Sequence, residues 1–147
     1  KATCSVTVAD PSLDDCPLIS CTDGFESLTG YRRSEILGRN CRFLNQGLSM
    51  DMNLRKALWQ TVHHGTDFVG ILQNRKKSGE LFSNFLCMTP MLLRGKSYLI
   101  GVQADATTEW IDLNNPIHMQ KLRNLAQILP AKLEAYIQTQ TQDYYRR

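Results

Sequence analysis

Apolar and polar residues alternate in several short stretches of the chain, a pattern typical of half-buried β-strands. Residues 4–8 and 18–21 predict two strands near the start of the chain. Three further strands are predicted at residues 67–75, 81–93 and 97–106. The short turns between these three favour hairpins, so the sequence predicts an antiparallel meander of the last three strands.

Short helices are predicted between the two blocks of strands. One is capped by Thr22 or Asp23 and closed by Gly30, and Ser34 is expected to cap another turn. Residues 51–64 carry apolar side chains on one stripe at helical spacing. Helices grouped between antiparallel strands predict an α+β domain with the helices packed on one face of the sheet.

The last part of the chain has a different pattern. After the helix-start signal at residues 114–116, leucines recur at helical spacing and form an amphipathic stripe over residues 122–137. Pro130 lies inside this stripe and predicts a kink or two helices. We therefore expect a folded core at residues 1–107 and a linker with one or two C-terminal helices at residues 108–147.

Composition and charge narrow the class of protein. Apolar residues make up 42% of the chain, which is enough for a packed core and excludes wholesale disorder. Residues 1–116 carry no net charge, and residues 117–147 carry the whole formal charge of +3. So small an excess predicts no nucleic-acid binding. Contact between the basic tail and an anionic membrane is a minority alternative.

The five cysteines lack the spacing of a disulfide framework or of a zinc site. We therefore expect no metal and a reducing, intracellular setting, most simply the cytoplasm. The chain begins at Lys1 with neither methionine nor a signal peptide, so we expect it to be a fragment of a longer protein.

One motif points to a family. The segment GRNCRFL at residues 38–44 resembles the signature of LOV domains, the flavin-binding, blue-light-sensing branch of the PAS superfamily. Five further motifs follow the family's pattern in the same order, at residues 24–31, 74–79, 82–84, 89–91 and 100–105. The resemblance extends over residues 5–107 and implies a PAS fold, in which short helices pack on one face of a five-stranded antiparallel sheet.

The resemblance implies a light-driven, reversible bond. In the family, the thiol of this motif adds to carbon C4a of a flavin under blue light, while N5 gains a proton, and the adduct decays in the dark. Cys41 occupies that position. A thiol suits this chemistry because sulfur can both attack and leave. The alternative role, a small buried apolar residue, is expected for Cys4, Cys16, Cys21 and Cys87.

Three strand amides match the family residues that hydrogen-bond the flavin ring: Asn74, Asn84 and Gln103. Amides supply both donors and acceptors, as the ring edge requires. Each could instead face outward, but that alternative is poor for all three together. The resemblance gives Gln103 a second role, in which its amide swaps oxygen for nitrogen after N5 is protonated and so signals toward the C-terminal helix.

The resemblance also assigns the remaining pocket residues. Asn40 and Gln46 match two further flavin contacts, if Asn45 is a one-residue insertion; without that insertion Asn45 takes the role of Gln46. Glu35 and Lys77 match a family salt bridge outside the pocket. The residues expected to wall the ring are Leu44, Leu72, Leu86 and Leu99.

The phosphate end departs from the family pattern. Arg42 matches the first phosphate ligand, but the second arginine position falls on Trp59, or on Leu58 in the ungapped register. Arg55 lies one helical turn earlier and could partly substitute. Losing one bidentate arginine weakens recognition of a phosphate. We therefore expect FMN as cofactor, with riboflavin or FAD possible, although the long insertion of FAD-favouring fungal relatives is absent.

Three functions were weighed. The preferred one is a blue-light photoreceptor domain, and the alternative is a PAS-like dimerisation domain with weak or no flavin binding. A flavin enzyme is rejected, because the sequence shows no set of acid, base and orienting residues that could act on a second substrate. The C-terminal stripe suits a helix that covers the sheet or a homodimer, and we expect the output domain or partner to lie outside this fragment.

Overall fold

The computed structural model describes residues 5–107, 116, 120 and 142–146. Five strands form one antiparallel sheet in the order β2-β1-β5-β4-β3. They are β1 (Ser5–Ala9), β2 (Leu18–Cys21), β3 (Phe68–Arg75), β4 (Leu81–Leu93) and β5 (Lys96–Asp105). The predicted α+β class and antiparallel sheet are confirmed, and each predicted strand end lies within one residue of the observed end.

The helices lie between β2 and β3. They are α1 (Asp23–Thr29), α2 (Arg33–Ile36), a 3-10 helix (Cys41–Asn45) and α3 (Met52–His64). The Asp51 carboxylate caps α3 by accepting the N–H groups of Asn53 at 3.0 Å and Leu54 at 3.2 Å. Gly30 ends α1 with φ of 81°, a left-handed conformation that glycine adopts without strain.

Thr22 occupies the predicted N-cap position of α1, but the side-chain caps predicted for Thr22 and Ser34 do not form. Thr22 precedes α1, but its hydroxyl makes no cap and instead accepts the N–H of Val6 in β1 at 2.9 Å. The neighbouring strand therefore uses the oxygen that a cap would need. Ser34 lies inside α2, which begins at Arg33. The exposed N–H of Arg32 is satisfied by the Glu35 carboxylate at 3.0 Å.

Side chains alternate between two faces of the sheet, as the pleat of a strand requires. The inner face, which includes Thr7 and Leu99, turns toward the helices. The outer face carries a separate buried cluster of Val6, Val8 and Ile100 with Tyr98. The sheet thus separates an interior that can hold a ligand from an apolar outer surface.

A salt bridge on the outside of the domain joins α2 to the β3–β4 turn. Lys77 Nζ lies 2.9 Å from Glu35 Oε2, which confirms the predicted pair. The Lys77 N–H also donates to the Thr29 carbonyl oxygen at 2.9 Å. Both contacts fix the turn against the helices, and the exposed ion pair adds little stability.

The predicted stripe at residues 122–137 lies outside the described residues. Residues 142–146, which are described, contact the outer face of the sheet: Tyr144 packs against the outer cluster, and the Tyr145 hydroxyl donates to Asp10. Within the described part of the chain, no helix is long and apolar enough to cross a membrane.

Candidate functional site

A cavity of about 760 Å³ lies between the inner face of the sheet and the helices. This volume is in the range of small-molecule sites. All twelve residues predicted from the sequence line it: Asn40, Cys41, Arg42, Leu44, Gln46, Arg55, Leu72, Asn74, Asn84, Leu86, Leu99 and Gln103. The four leucines are buried, so their side chains form apolar walls around the polar groups.

Two asparagines on neighbouring strands form a buried amide pair in this cavity. Asn84 Nδ2 donates to Asn74 Oδ1 at 2.9 Å, and Asn74 Nδ2 donates to Asn45 Oδ1 at 2.6 Å. Asn74 and Asn84 are only 2% and 3% exposed. Within the described structure, Asn84 Oδ1 is buried and has no hydrogen-bond donor. Such an oxygen is costly unless a ligand supplies the missing N–H.

Gln103 connects the cavity to the neighbouring strand β1. Its Oε1 accepts from the Ser5 hydroxyl at 3.0 Å, and its Nε2 donates to Thr7 Oγ1 at 2.9 Å. Gly101 makes room for this pair, because a Cβ atom there would lie 2.7 Å from Thr7 Oγ1 and 2.8 Å from Gln103 Nε2.

The partners of Gln103 were not predicted. The sequence offered one signal, since a glycine inside a strand often marks a close approach. Nothing in the sequence around Ser5 and Thr7 indicates that their hydroxyls contact Gln103, because this contact depends on the pairing of β1 with β5.

Cys41 is the first residue of the 3-10 helix, and its side chain packs against the buried cluster that contains Leu44 and Leu99. Asn40 caps this helix, because its Oδ1 accepts the Arg42 N–H at 3.0 Å. Burial raises the pKa of the Cys41 thiol, and this effect outweighs its backbone hydrogen bond and the Arg42 charge, which act in the opposite direction. The group is therefore a protonated thiol at neutral pH.

The loop between β1 and β2 covers the Cys41 segment. Asn40 Nδ2 donates to the Asp15 carbonyl oxygen at 2.8 Å. Both the nitrogen and the oxygen of the Asn40 amide therefore have hydrogen-bond partners within the protein. Asn40 lines the cavity, and its contact with a flavin stays a prediction. The same loop brings Asp15 and Cys16 to the cavity wall, which the sequence did not predict.

The exposed part of the cavity lining, which forms its mouth, carries charged and polar side chains. Arg42 forms a salt bridge with Asp15, and this contact holds the pKa of the Asp15 carboxyl below its usual value. Arg55 and Gln46 are exposed at the mouth. Trp59 is also exposed, and its ring stacks on His63 at a centroid distance of 4.3 Å. Two arginines are thus available at the mouth, one of them already paired with a carboxylate.

Comparisons with known proteins agree with this architecture. Residues 3–108 match the PAS domain family. The chain is 37% identical over 114 residues to the White collar 1 protein of Neurospora crassa, and the match covers 69% of this chain and 10% of that protein. It is 39% identical over 103 residues to the blue-light-activated histidine kinase 2 of Erythrobacter litoralis, covering 69% of this chain and 30% of that protein.

Solved structures give the same result. A LOV domain from an Erythrobacter litoralis blue-light activated histidine kinase superimposes with a TM-score of 0.67 at 36% identity, covering 74% of this chain and all of that one. The light-state dimer of the fungal blue-light photoreceptor Vivid gives 0.64 at 27% identity, covering 71% and 79%. The chain therefore belongs to the PAS domain family, and within that family it is a LOV domain. It spans under a third of the length of the two curated relatives described above.

Proposed function

We propose that this domain is a blue-light photoreceptor that binds a flavin in the central cavity and responds to light through Cys41. The observation that carries the proposal is that a protonated thiol and a buried amide pair line one apolar cavity. The similarity to blue-light photoreceptors supports the same function.

The residues present fit a flavin. The acceptor that lacks a donor, Asn84 Oδ1, suits a ring N–H, and Asn74 and Gln103 add further amide groups on the same face of the sheet. The buried leucines suit the two faces of an aromatic ring. When bound, a flavin would supply the absorption of blue light and the carbon atom, C4a, that accepts the Cys41 sulfur reversibly.

Cys41 contributes both a nucleophilic sulfur and a proton. Because burial raises its pKa, the group keeps its proton at rest and is a weak nucleophile until light changes the reactivity of its partner. The capped 3-10 helix fixes the position of the sulfur, and sulfur can leave again in the dark. This arrangement supports a reversible response that needs no further substrate.

Gln103 is the residue proposed to pass the signal on. Its two partners, Ser5 and Thr7, are hydroxyls, which can each donate or accept. The amide therefore finds partners in either of its two orientations. Rotation of the amide would reverse both hydrogen bonds and alter the contact between β5 and β1, which is the route that we propose toward the C-terminal residues.

We propose FMN as the cofactor, bound through Arg42 and Arg55, with riboflavin or FAD as alternatives. Two exposed guanidinium groups at the mouth favour a phosphate. The Asp15–Arg42 salt bridge acts against it, because the carboxylate competes with a phosphate for the same guanidinium. Recognition of FMN over riboflavin should accordingly be modest.

The organisation of the chain is proposed on the same basis. Residues 1–107 form the sensory core, and residues 108–147 carry the signal outward through a helix or a homodimer. The output domain or partner that receives the signal lies outside these residues.

We propose that the domain itself is not an enzyme, because the only chemistry assigned to it is the bond at Cys41. A thiol that must stay reduced favours an intracellular location.

The alternative function is a PAS-like interaction domain that binds flavin weakly or not at all, and the Asp15–Arg42 pair is the observation that favours it. An absorption spectrum separates the two functions. The proposed photoreceptor takes up flavin, bleaches under blue light and recovers in the dark. A protein that stays colourless after flavin is added would contradict the photoreceptor function and support the alternative.

A further inference from the structure

A second thiol lies beside the photoactive one. Cys16 and Cys41 both line the cavity, and both pack, half-buried, against the same buried cluster that contains Leu18 and Leu44. Neither residue forms a disulfide in the structure. The function proposed above uses Cys41 and leaves Cys16 without a role.

Backbone contacts hold the two cysteine segments side by side. The Leu18 N–H donates to the Arg39 carbonyl oxygen at 2.9 Å, and the Gly38 N–H donates to the Leu18 carbonyl oxygen at 2.8 Å. On the other side of Cys16, Asn40 Nδ2 donates to the Asp15 carbonyl oxygen at 2.8 Å. The two segments therefore run past each other and are tied both before and after Cys16.

The electrostatics agree with this proximity. Burial, followed by the neighbouring Cys41, raises the pKa of the Cys16 thiol to about 11. A charge on the Cys41 sulfur therefore affects the Cys16 thiol, and such an effect requires the two groups to be close together. Because both thiols keep their protons at neutral pH, their oxidation should be slow and should need a sustained oxidant.

We propose that Cys16 and Cys41 form a reversible intramolecular disulfide under oxidation by a peroxide, and that this disulfide makes the photoreceptor insensitive to light. The loss of sensitivity rests on the proposed role of Cys41, whereas formation of the disulfide does not.

The reaction balances with hydrogen peroxide as the oxidant. One thiol sulfur attacks the peroxide, the O–O bond breaks, and a sulfenic acid and one water form. The second thiol displaces the sulfenic oxygen as another water, and the S–S bond forms. The two thiols lose two electrons and two protons in total, and one peroxide becomes two waters. The sulfur of Cys41 then has neither the proton nor the free thiol that the light reaction needs.

Peptide mapping tests the disulfide directly. The full chain, loaded with flavin, is treated with hydrogen peroxide in the dark, blocked with N-ethylmaleimide and digested with trypsin without reduction. Cleavage after Arg32, Arg39 and Arg42 leaves Cys41 in a peptide of residues 40–42, while Cys4, Cys16 and Cys21 share the peptide of residues 2–32. We expect these two peptides to be linked, and dithiothreitol to separate them.

Single variants identify the partner of Cys41. The linked pair should vanish in Cys16→Ser and persist in Cys4→Ser and Cys21→Ser. A linked pair that survives in Cys16→Ser, or residues 40–42 that gain oxygen without a link, would overturn the proposal.

Blue-light bleaching of the same samples tests the consequence. Bleaching should fall in direct proportion to the linked fraction and return after dithiothreitol. Unchanged bleaching in fully linked protein would refute the loss of sensitivity. If untreated protein does not bleach at all, the proposed photoreceptor function fails, while the peptide map still reports whether the disulfide forms.

Discussion

Gln103 Nε2 donates to Thr7 Oγ1 at 2.9 Å, across the pairing of β5 with β1, and the missing side chain of Gly101 leaves the space for this bond. The Gln103 amide is buried, so the hydroxyl of Thr7 is needed to satisfy it. Gln103, the residue proposed to carry the signal, is therefore held in position by β1 through contacts within the protein itself.

Gly101→Ala tests this arrangement. The added methyl group would overlap both Thr7 Oγ1 and Gln103 Nε2, so we expect the substitution to lower the free energy of unfolding by about 1–3 kcal/mol. Urea unfolding measures this change. In a double-mutant cycle with Thr7→Ala, the two effects should not add, since the second variant removes one of the overlapping atoms. Strictly additive effects would contradict the proposed overlap.

Asn84→Leu tests whether the unpaired acceptor binds the ligand. Removing Asn84 Oδ1 should weaken flavin binding by about 1–3 kcal/mol, or roughly fivefold to 150-fold in Kd. Equilibrium titration of the flavin-free protein measures it. Gln73→Leu is the matched control, because Gln73 lies on the adjacent strand, is exposed and donates to Ser83 Oγ at 3.0 Å. Equal losses in the two variants would rule out a specific role for Asn84.

Asp15→Asn tests the competition at the mouth of the cavity. Without the carboxylate, Arg42 becomes available to a phosphate, so the ratio of FMN affinity to riboflavin affinity should rise by about threefold to tenfold. Affinity for riboflavin, which has no phosphate, should change little. Asp14→Asn, an exposed neutralisation one residue earlier, is the control. An unchanged ratio in Asp15→Asn would show that Arg42 does not contact the phosphate.

The lowered pKa of Asp10 predicts that the stability of the fold depends on pH. Burial alone would raise the pKa of Asp10, but hydrogen bonds from Ser12, Tyr145 and Lys96 outweigh it and lower the pKa to about 2. The unfolded chain has the ordinary value of 3.8, so this carboxylate stabilises the fold above that pH and loses its contribution as the pH falls toward 2.

The contribution of Asp10 is measurable by urea unfolding over a series of acidic pH values. The wild-type protein should lose about 2 kcal/mol more than Asp10→Asn as the pH falls from about 5 to about 2. Parallel pH profiles for the two proteins would show that Asp10 does not make this contribution.

Much of the fold could be predicted because its signals are local. Alternating apolar residues marked the strands, and Gly30 and Asp51 marked helix boundaries. The motif at residues 38–44 located Cys41, and the twelve predicted residues do line one cavity. The amides stood out because an unpaired amide in an apolar strand is unfavourable.

The remaining features depend on contacts between residues far apart in the chain. Asp15 meets Arg42 only because the β1–β2 loop folds over the 3-10 helix. Cys16 lies beside Cys41 for the same reason, although the sequence suggested only a small buried residue. Thr22 was expected to cap a helix, but the N–H of Val6 takes its hydroxyl. Such choices between local and distant partners are decided by the tertiary structure.

The account depends most on Cys41, and the light-induced bleaching of the Cys41→Ser variant tests it most directly. This variant should bind flavin with nearly unchanged affinity, because its hydroxyl is close in size to the thiol, yet it should not bleach and recover. Cys87→Ser, which changes a buried cysteine on the outer face of the sheet, should bleach and recover like the wild-type protein. Reversible bleaching that survives in Cys41→Ser would contradict the account.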